Sequence, residues 1–316
     1  MTKHSRILTE SHVAASIGSG KRSTATVLLI PLLYSALACS SSLVQRGSAA
    51  TAIHRDVEAV AAGGSIEGRR AAILGQLRQA GLEGRVVMFD PPQRAGVARR
   101  GANIVAHVSK APGPTLLLGA HYDDVGLAQG VIDNAAGVGV VLALAKVLSR
   151  DPLKHYSVDV AFFDLEENGL LGSRAMAADS LRTPLPAIYV NFDVFGYGDA
   201  LWVGSVESND LFSTLVEESG RKAGLKVFVD SLYPDSDHES FRNTSSISYA
   251  VSLLDAAGGE AVLESLRTRS EPSDPPLIFR IIHTTNDTLD KLDAQAVARG
   301  VDAVEKAIRK LDARGR

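Results

Sequence analysis

Histidine and acidic residues follow several apolar runs of this sequence, where strands, or the loops that leave them, are expected to end. They are His121, Asp133, the pair Glu166-Glu167, Asp193 and His283. One such residue alone is usually a cap or a satisfied polar group, but so many together are hard to explain as solvation. Carboxylates crowded into one crevice are costly unless a cation neutralises them. Because imidazole and carboxylate ligands together suit zinc better than calcium or magnesium, the pattern indicates a zinc site.

The apolar runs that must position these residues predict an α/β fold. Strands are predicted at 86–89, 103–108, 115–120, 158–163, 187–192, 226–229, 246–251 and 277–282, and helices at 53–80 with a break at Gly63-Gly64, 135–148, 168–180, 210–223 and 294–311. Strands that alternate with helices imply a sheet covered on both faces. The expected fold is a single α/β domain with a mixed, mostly parallel central sheet flanked by helices on both faces. Function in such folds lies beyond the carboxyl ends of the strands.

Six separated segments resemble the co-catalytic di-zinc aminopeptidases of the bacterial leucyl aminopeptidase type, a family related to the glutaminyl cyclases. In chain order they are GAHYDD, GVIDNAAGVGVVLALAKVL, VAFFDLEENGLLGSRAMA, VNFD, SDHESF and IIHTTNDTLDKLD. All six occur in the family's order, from about residue 100 to the carboxyl terminus. Residues 53–99 show only helical and strand patterns.

The resemblance implies a site with two Zn²⁺ ions and assigns their ligands. Asp133 bridges the two ions. His121 and Asp193 complete one zinc, and Glu167 and His283 complete the other. A zinc-bridging hydroxide then attacks the peptide carbonyl. The implied activity is that of a zinc-dependent exopeptidase, a metallo-aminopeptidase that hydrolyses amino-terminal residues from peptides.

Three further residues receive roles from the same resemblance. Glu166 is not a ligand but the general base, which takes a proton from the water and passes it to the leaving amine. Asp123, two residues after His121, orients the imidazole by accepting its other N–H. Tyr233 polarises the scissile carbonyl, and the SDH motif that follows it is expected to support the site without ligation.

Two alternatives share the fold. A glutaminyl-peptide cyclotransferase would need a single zinc, and a non-catalytic envelope domain would be expected to lose ligands. Asn134, the NFD strand end and the HTTNDTLDKLD segment favour the di-zinc peptidase. A carboxypeptidase or dipeptidase specificity on the same metal centre also stays open. The sequence has no G-x-S-x-G motif, which leaves serine catalysis without support. Gly137 and Gly139 lie within a predicted helix and do not form a dinucleotide-binding loop.

The amino terminus resembles a targeting segment. Residues 1–38 read as a signal peptide, with basic residues followed by an apolar run at 25–38 that suits an h-region. The run ends in ALAC, which resembles a lipobox, so that either ordinary cleavage or a lipid anchor at Cys39 would follow. Residues 39–52 are expected to form a flexible tether and 53–316 the catalytic domain. The expected location is the cell envelope, as a periplasmic or outer-membrane lipoprotein, or outside the cell.

Charge and cysteine content limit the partners. The 316 residues include 33 basic and 36 acidic side chains and one cysteine. Without residues 1–38, 29 basic and 35 acidic residues remain, a net charge of −6. This balance argues against nucleic acid and anionic membrane surfaces as partners. The expected partners are peptide substrates with a free amino terminus.

A polar segment with several prolines, residues 255–276, separates two of the motifs. Its position before His283 is consistent with a rim or lid of the substrate pocket. A disordered surface insertion is equally consistent with its composition.

Overall fold

An eight-stranded mixed sheet organises the part of the chain that the computed structural model describes, which comprises residues 47–179, 184–205, 210–270 and 272–315. The chain divides into Met1–Val44 and Gln45–Arg316, and the described residues belong to the second unit. The expected signal peptide, Cys39 and the first part of the tether lie outside the described residues.

The eight strands are spread along the sequence from Gly84 to Leu254. They are β1 Gly84–Phe89, β2 Gly101–Ser109, β3 Thr115–His121, β4 Ser157–Phe163, β5 Ile188–Phe195, β6 Ala200–Gly204, β7 Lys226–Asp230 and β8 Ile247–Leu254. Their spatial order is β1-β2-β4-β3-β5-β8-β6-β7. The central four, β4-β3-β5-β8, are parallel, β1, β2 and β6 pair antiparallel with their inner neighbours, and β7 is parallel to β6. The predicted mixed sheet with a parallel centre is confirmed.

Helices cover both faces of the sheet. They are α1 at 47–61, α2 Ile66–Gln79, α3 Ala136–Arg150, α4 Leu171–Ala178, α5 Leu211–Lys222, α6 Glu239–Arg242, α7 Ala256–Thr268 and α8 Ala294–Ala313. Successive strand side chains point to opposite faces. Leu116 and Leu118 of β3 accordingly join the larger core, whereas Leu117 joins a smaller cluster with Phe241 of α6. The segment Val131–Arg150 is apolar enough to span a membrane, but most of it is buried within the fold.

The register of the parallel strands brings the site residues to one edge. His121 pairs with Phe163, so the end of β3 is level with the end of β4, three residues before Glu166. Gly119 of β3 pairs with Asn191 of β5, two residues before Asp193. The carboxyl ends of these three strands therefore meet at the same edge of the sheet.

Several segments differ from expectation. Residues 47–52, expected as tether, already belong to α1, where Ala50 is only 3% exposed. Residues 277–282 form no strand but a 3₁₀ turn, Leu277–Arg280, since a short apolar run can form a helical turn as well as a strand. Strand β6 was not predicted. Helix α7 was missed because its paired glycines and the prolines beyond it resemble a loop, although Asp255 caps it by accepting from the Gly258 N–H at 2.7 Å.

Candidate active site

The first ligand cluster forms where β3 and β5 end. His121 is 1% exposed. Its Nε2 lies 3.1 Å from Asp133 Oδ1 and 3.4 Å from Asp193 Oδ1. One donor atom from each of the three residues lies within 4.8 Å of the other two. These three groups come from β3, the turn before α3, and β5, and they can hold one metal ion.

A second cluster uses the other oxygen of Asp133. His283 Nε2 lies 3.1 Å from Asp133 Oδ2 and 3.2 Å from Glu167 Oε2. These three residues also meet within 4.8 Å. Asp133 thus presents one carboxylate oxygen to each histidine, which is the arrangement a bridging ligand needs. The sequence suggested that His283 follows a strand. In the structure it reaches Asp133 from the loop after the 3₁₀ turn.

Glu166 lies beside both clusters. A third group of donors within 4.8 Å joins Glu166 to His121 and Glu167. The backbone N–H groups of Glu166 and Glu167 donate to the two oxygens of Asp123, at 3.1 and 3.2 Å. Asp123 Oδ1 lies 3.5 Å from His121 Nδ1, longer than an ordinary hydrogen bond. In this structure Asp123 therefore holds the acidic turn more directly than it holds the imidazole.

A chain of hydrogen bonds orients Asp193. Tyr189 Oη donates to Asn191 Oδ1 at 2.8 Å, and Asn191 Nδ2 donates to Ser236 Oγ at 2.8 Å. Ser236 Oγ then donates to Asp193 Oδ2 at 2.7 Å. Only Oδ1 of Asp193 is left to face His121. The role of Ser236 was missed, although it begins the SDH motif.

The turn that carries Asp133 is held through its backbone. Asp287 Oδ1 accepts from the N–H groups of Val131 and Ile132, at 2.9 and 2.6 Å, and Oδ2 accepts from that of Asp133 at 3.1 Å. Asn134 continues this ordering, since its Nδ2 donates to the Phe192 carbonyl of β5 at 2.8 Å. The side chain of Asp133 consequently stays available for ligation.

Buried polar atoms that lack a hydrogen bond indicate whether these residues fit a metal ion. Among the described residues these include His121 Nε2, Glu167 Oε1 and Asp193 Oδ1. Buried polar atoms normally have partners, and each one left without a partner has a free-energy cost. All three belong to the predicted ligands, and their nitrogen and oxygen donors suit zinc. The residues present therefore fit a zinc centre.

Crowding changes the acidity of the carboxyl groups. Burial raises the pKa of Glu166 to about 10, against the opposing charge of His121. Burial and the Asp133 carboxylate raise the pKa of Glu167 to about 7. Asp133 behaves differently: burial opposes its ionisation, but the two histidines beside it hold its pKa well below the usual range. Burial therefore opposes ionisation of the two glutamic acids, whereas the two histidines favour the ionised form of Asp133.

The histidines change in the complementary direction. Burial disfavours a charged His121, but the carboxylates of Glu166 and Asp193 outweigh burial and raise its pKa well above the usual value. The hydrogen bond to Asp133 raises the pKa of His283 to about 9. Protons thus occupy the positions at which a metal would balance the carboxylates.

A cavity of about 250 Å³ adjoins the ligands. Asp133, Glu166, Glu167, Asp193 and His283 lie at its polar end. The apolar wall consists of Val194, Trp202, Leu254, Val262, Ile278, Phe279 and Ile282. Helix α7 and the 3₁₀ turn supply part of this wall, so the 255–276 segment forms a side of the pocket over its helical part.

Tyr233 lies in the same cavity. Its hydroxyl is hydrogen-bonded to Ser252 Oγ, and Ser252 Oγ donates to the Asp193 carbonyl at 2.6 Å. Since that serine has only one hydroxyl proton, Tyr233 is the donor to it. The ring centre of Tyr233 lies 4.9 Å from that of Trp202 and 5.4 Å from that of His238. The sequence-predicted tyrosine is therefore present at the site, with its hydroxyl engaged by Ser252.

The other two residues of the SDH motif are buried and do not line the cavity. Asp237 and His238 are 0% and 2% exposed, and neither belongs to a ligand cluster among the described residues. Burial raises the pKa of Asp237 to about 7. Their burial outside the ligand clusters is consistent with a supporting role, which stays a prediction.

Residues 103–308 match the sequence profile of Peptidase family M28. The match spans more than half of the chain. The chain belongs to peptidase family M28. The five predicted ligands, Asp123, Glu166 and Tyr233 all lie inside the matched range, and the family resemblance seen in the sequence is confirmed.

Two curated relatives of this chain carry aminopeptidase names. Aminopeptidase YwaD of Bacillus subtilis (strain 168) is 35% identical over 196 residues, which are 60% of this chain and 39% of that protein. Probable lipoprotein aminopeptidase LpqL of Mycobacterium tuberculosis is 35% identical over 97 residues, 29% of this chain and 19% of that protein. The chain spans less than half the length of either relative.

Solved structures show the same fold. The zinc aminopeptidase BSAP from Bacillus subtilis aligns with a TM-score of 0.54 and 21% identity, over 67% of this chain and 50% of that one. A glutaminyl cyclase from an Acidobacteriales bacterium aligns with a TM-score of 0.65 and 18% identity, over 84% and 96%. At these identities the likeness establishes the α/β architecture alone.

Proposed function

We propose that this M28 chain is an exported aminopeptidase that uses two zinc ions to release amino-terminal residues from peptides. The observation that carries the proposal is the position of the Asp133 carboxylate. Its Oδ1 lies 3.1 Å from His121 Nε2, and its Oδ2 lies 3.1 Å from His283 Nε2. A one-zinc cyclase would need only one such cluster, whereas here two clusters share Asp133.

The five ligands would hold the metals, and Glu166 would act as the base. When bound, the zinc ions polarise the scissile carbonyl and lower the pKa of the attacking water. Glu166 takes a proton from that water as its oxygen bonds to the carbonyl carbon. The same carboxyl group then passes the proton to the amine nitrogen as the C–N bond breaks. The backbone hydrogen bonds to Asp123 fix the turn from which Glu166 reaches the water.

Tyr233 is proposed to donate to the carbonyl oxygen of the substrate. In this structure the hydroxyl donates to Ser252, so binding of a substrate would exchange one acceptor for another. An oxygen that becomes negatively charged is the better acceptor of the two. The interaction therefore strengthens as the tetrahedral species forms, which is the requirement for lowering the barrier.

The apolar wall of the cavity indicates where the first side chain of the substrate would lie. Trp202, Val262 and Ile282 line the cavity that opens beside the ligand clusters. Burial of an apolar side chain there contributes about 25 cal/mol per Å². The proposed substrates are therefore peptides whose first residue is apolar and whose amino group is free.

Export is proposed from the amino-terminal segment. A basic region, an apolar run and ALAC precede the catalytic unit in the sequence. A relative named as a probable lipoprotein aminopeptidase supports an envelope location. Globomycin, which blocks lipoprotein signal cleavage, would retain a larger precursor if Cys39 is lipidated. Processing that is unaffected by the inhibitor would reject the lipid anchor.

The activity is tested with a mixture of peptides read by mass spectrometry. The set contains peptides with free and with acetylated amino termini, some of them beginning with Gln. The zinc-loaded protein should shorten only the free peptides, one residue at a time, and Glu166→Gln should not. Loss of ammonia from the Gln peptides without cleavage would replace the proposal with a cyclase. Cleavage from the carboxyl terminus would replace it with a carboxypeptidase.

A further inference from the structure

Arg69 of α2 is a fully enclosed cation next to the ligand clusters. Its side chain is 2% exposed, and Nε donates to the Tyr122 carbonyl at 2.6 Å. Nη1 donates to the Gln129 carbonyl at 2.9 Å, and Nη2 donates to the Gly130 carbonyl at 3.2 Å. Nη1 also lies 3.1 Å from Asp124 Oδ2. A charged side chain is rarely buried unless it is paired in this way.

These bonds hold the loop that leads from one ligand to the next. Tyr122 directly follows His121, and Gly130 precedes Asp133 by three residues. Arg69 therefore fixes both ends of the loop between the ligand of one cluster and the ligand shared by both. It lies outside the range that matches the family profile, on a helix whose sequence showed no functional pattern.

Arg69 and Asp287 both bind the backbone of residues 129–133, Arg69 through carbonyl groups and Asp287 through N–H groups. Arg69 binds the carbonyls of Gln129 and Gly130, and Asp287 accepts from the next three amides, which end at Asp133. The segment is closely packed at Gly130. A Cβ on Gly130 would lie 2.7 Å from Asp124 Cβ and 3.2 Å from Arg69 Nη1.

We propose that Arg69 is a positioning residue that sets the place of Asp133 and thereby the affinity of both metal sites. The proposal rests on the proposed function, since it takes Asp133 as the shared ligand. Removing the guanidinium takes the donor away from three loop carbonyls, those of Tyr122 and Gly130 in buried bonds, and takes the paired cation away from Asp124. Because Asp133 serves both clusters, the two zinc affinities should fall together.

The test measures zinc affinity by competition with a chelator, without any peptide. Arg69→Met should weaken both zinc sites about tenfold, the low end of the loss that follows removal of a group hydrogen-bonded to a metal ligand, since Arg69 acts through the backbone beside the ligands. Arg69→Lys keeps the positive charge beside Asp124, so this variant should fold. Its ammonium group cannot reach all three carbonyls, so it should bind zinc more weakly than the wild type does. Cobalt-substituted protein should show a changed d–d absorption spectrum in both variants.

Lys146→Met is the matched control. Lys146 forms a part-buried ion pair with Asp56, which joins α3 to α1. It lies ten residues along α3 from Ala136, about 15 Å along the helix axis. This variant should lower the thermal unfolding temperature and keep the zinc affinity of the wild type.

Two results would overturn the proposal. One is wild-type zinc affinity in folded Arg69→Lys and Arg69→Met, and the other is an equal loss of affinity in Lys146→Met. The proposed function is judged separately on the wild type. A wild type that binds two zinc ions but cleaves no peptide would reject the aminopeptidase and leave Arg69 still tested by the affinities.

Discussion

Asp287 holds Asp133 through the backbone and leaves its side chain free. Oδ2 of Asp287 accepts the Asp133 N–H at 3.1 Å, while the Asp133 carboxylate faces His121 and His283. A ligand held by its own main chain can keep both oxygens for metals. Two ions can then be bound by one rigid turn.

We expect Asp287→Ala to destabilise the protein by at least about 2 kcal/mol, because buried amides lose a charged acceptor. Asp287→Asn keeps one acceptor oxygen, so its free energy of unfolding should lie between those of the wild type and Asp287→Ala. Urea unfolding of the zinc-free proteins measures both free energies. Equal stability of all three proteins would mean that the amides at 131–133 find other partners.

Replacing Glu166 by Gln should separate catalysis from metal binding. The substitution keeps the shape of the side chain and removes its ability to take a proton. Two zinc ions should remain by elemental analysis, and kcat should fall by about 10²–10⁴-fold. A variant with near-normal turnover would show that another group is the base, and a variant without zinc would show that Glu166 is a ligand.

The metal-free protein should become less stable as the pH rises from about 5 to about 9. The folded-state pKa of Glu167 is raised to about 7 and that of Glu166 to about 10. The folded carboxyls thus keep protons that the unfolded ones lose near pH 4.5, so their contribution is present at low pH and lost as the pH rises. His283, with its pKa raised to about 9, acts in the same direction. Asp133 acts oppositely, but only below about pH 4.

Thermal unfolding with a chelator present, across this pH range, measures the effect. The zinc-loaded protein is the control, since zinc replaces these protons and binds more tightly as the pH rises. The gap in unfolding temperature between the two forms should therefore widen with pH. A gap that narrows would contradict the electrostatic picture of the cluster.

Val262→Trp should change the preferred substrate. Val262 lies in the apolar wall of the cavity, whereas Glu264, two residues further along α7, is exposed. Filling the cavity should lower kcat/KM for peptides that begin with Leu by about tenfold or more, and spare those that begin with Ala. Glu264→Trp is the control and should leave both values unchanged. Equal losses for both peptides in Val262→Trp would place the first side chain elsewhere.

Much of the site could be predicted because apolar strands end at polar residues. His121, Glu166-Glu167 and Asp193 follow strands β3, β4 and β5, and parallel strands bring such ends together. His283 was predicted as a ligand from the resemblance but on the wrong element. The run before it is short, and nothing local separates a strand from a turn.

The groups that hold the ligands could not be predicted in the same way. Arg69, Ser236 and Asp287 act on backbone groups or side chains at least 43 residues away in sequence. No periodicity marks such bonds, because they depend on how the loops pack in three dimensions. The glycine-rich and polar composition of residues 255–276 also concealed α7, although Val262 of this helix lines the cavity.

The most direct test of the two-metal site is a crystal of the zinc-loaded protein measured on both sides of the zinc absorption edge. We expect two anomalous peaks about 3.5–4 Å apart, one beside His121 and Asp193 and the other beside Glu167 and His283, with Asp133 between them. A single peak beside Glu167 and His283, at full zinc saturation, would contradict the bridging role of Asp133 and favour a one-zinc enzyme.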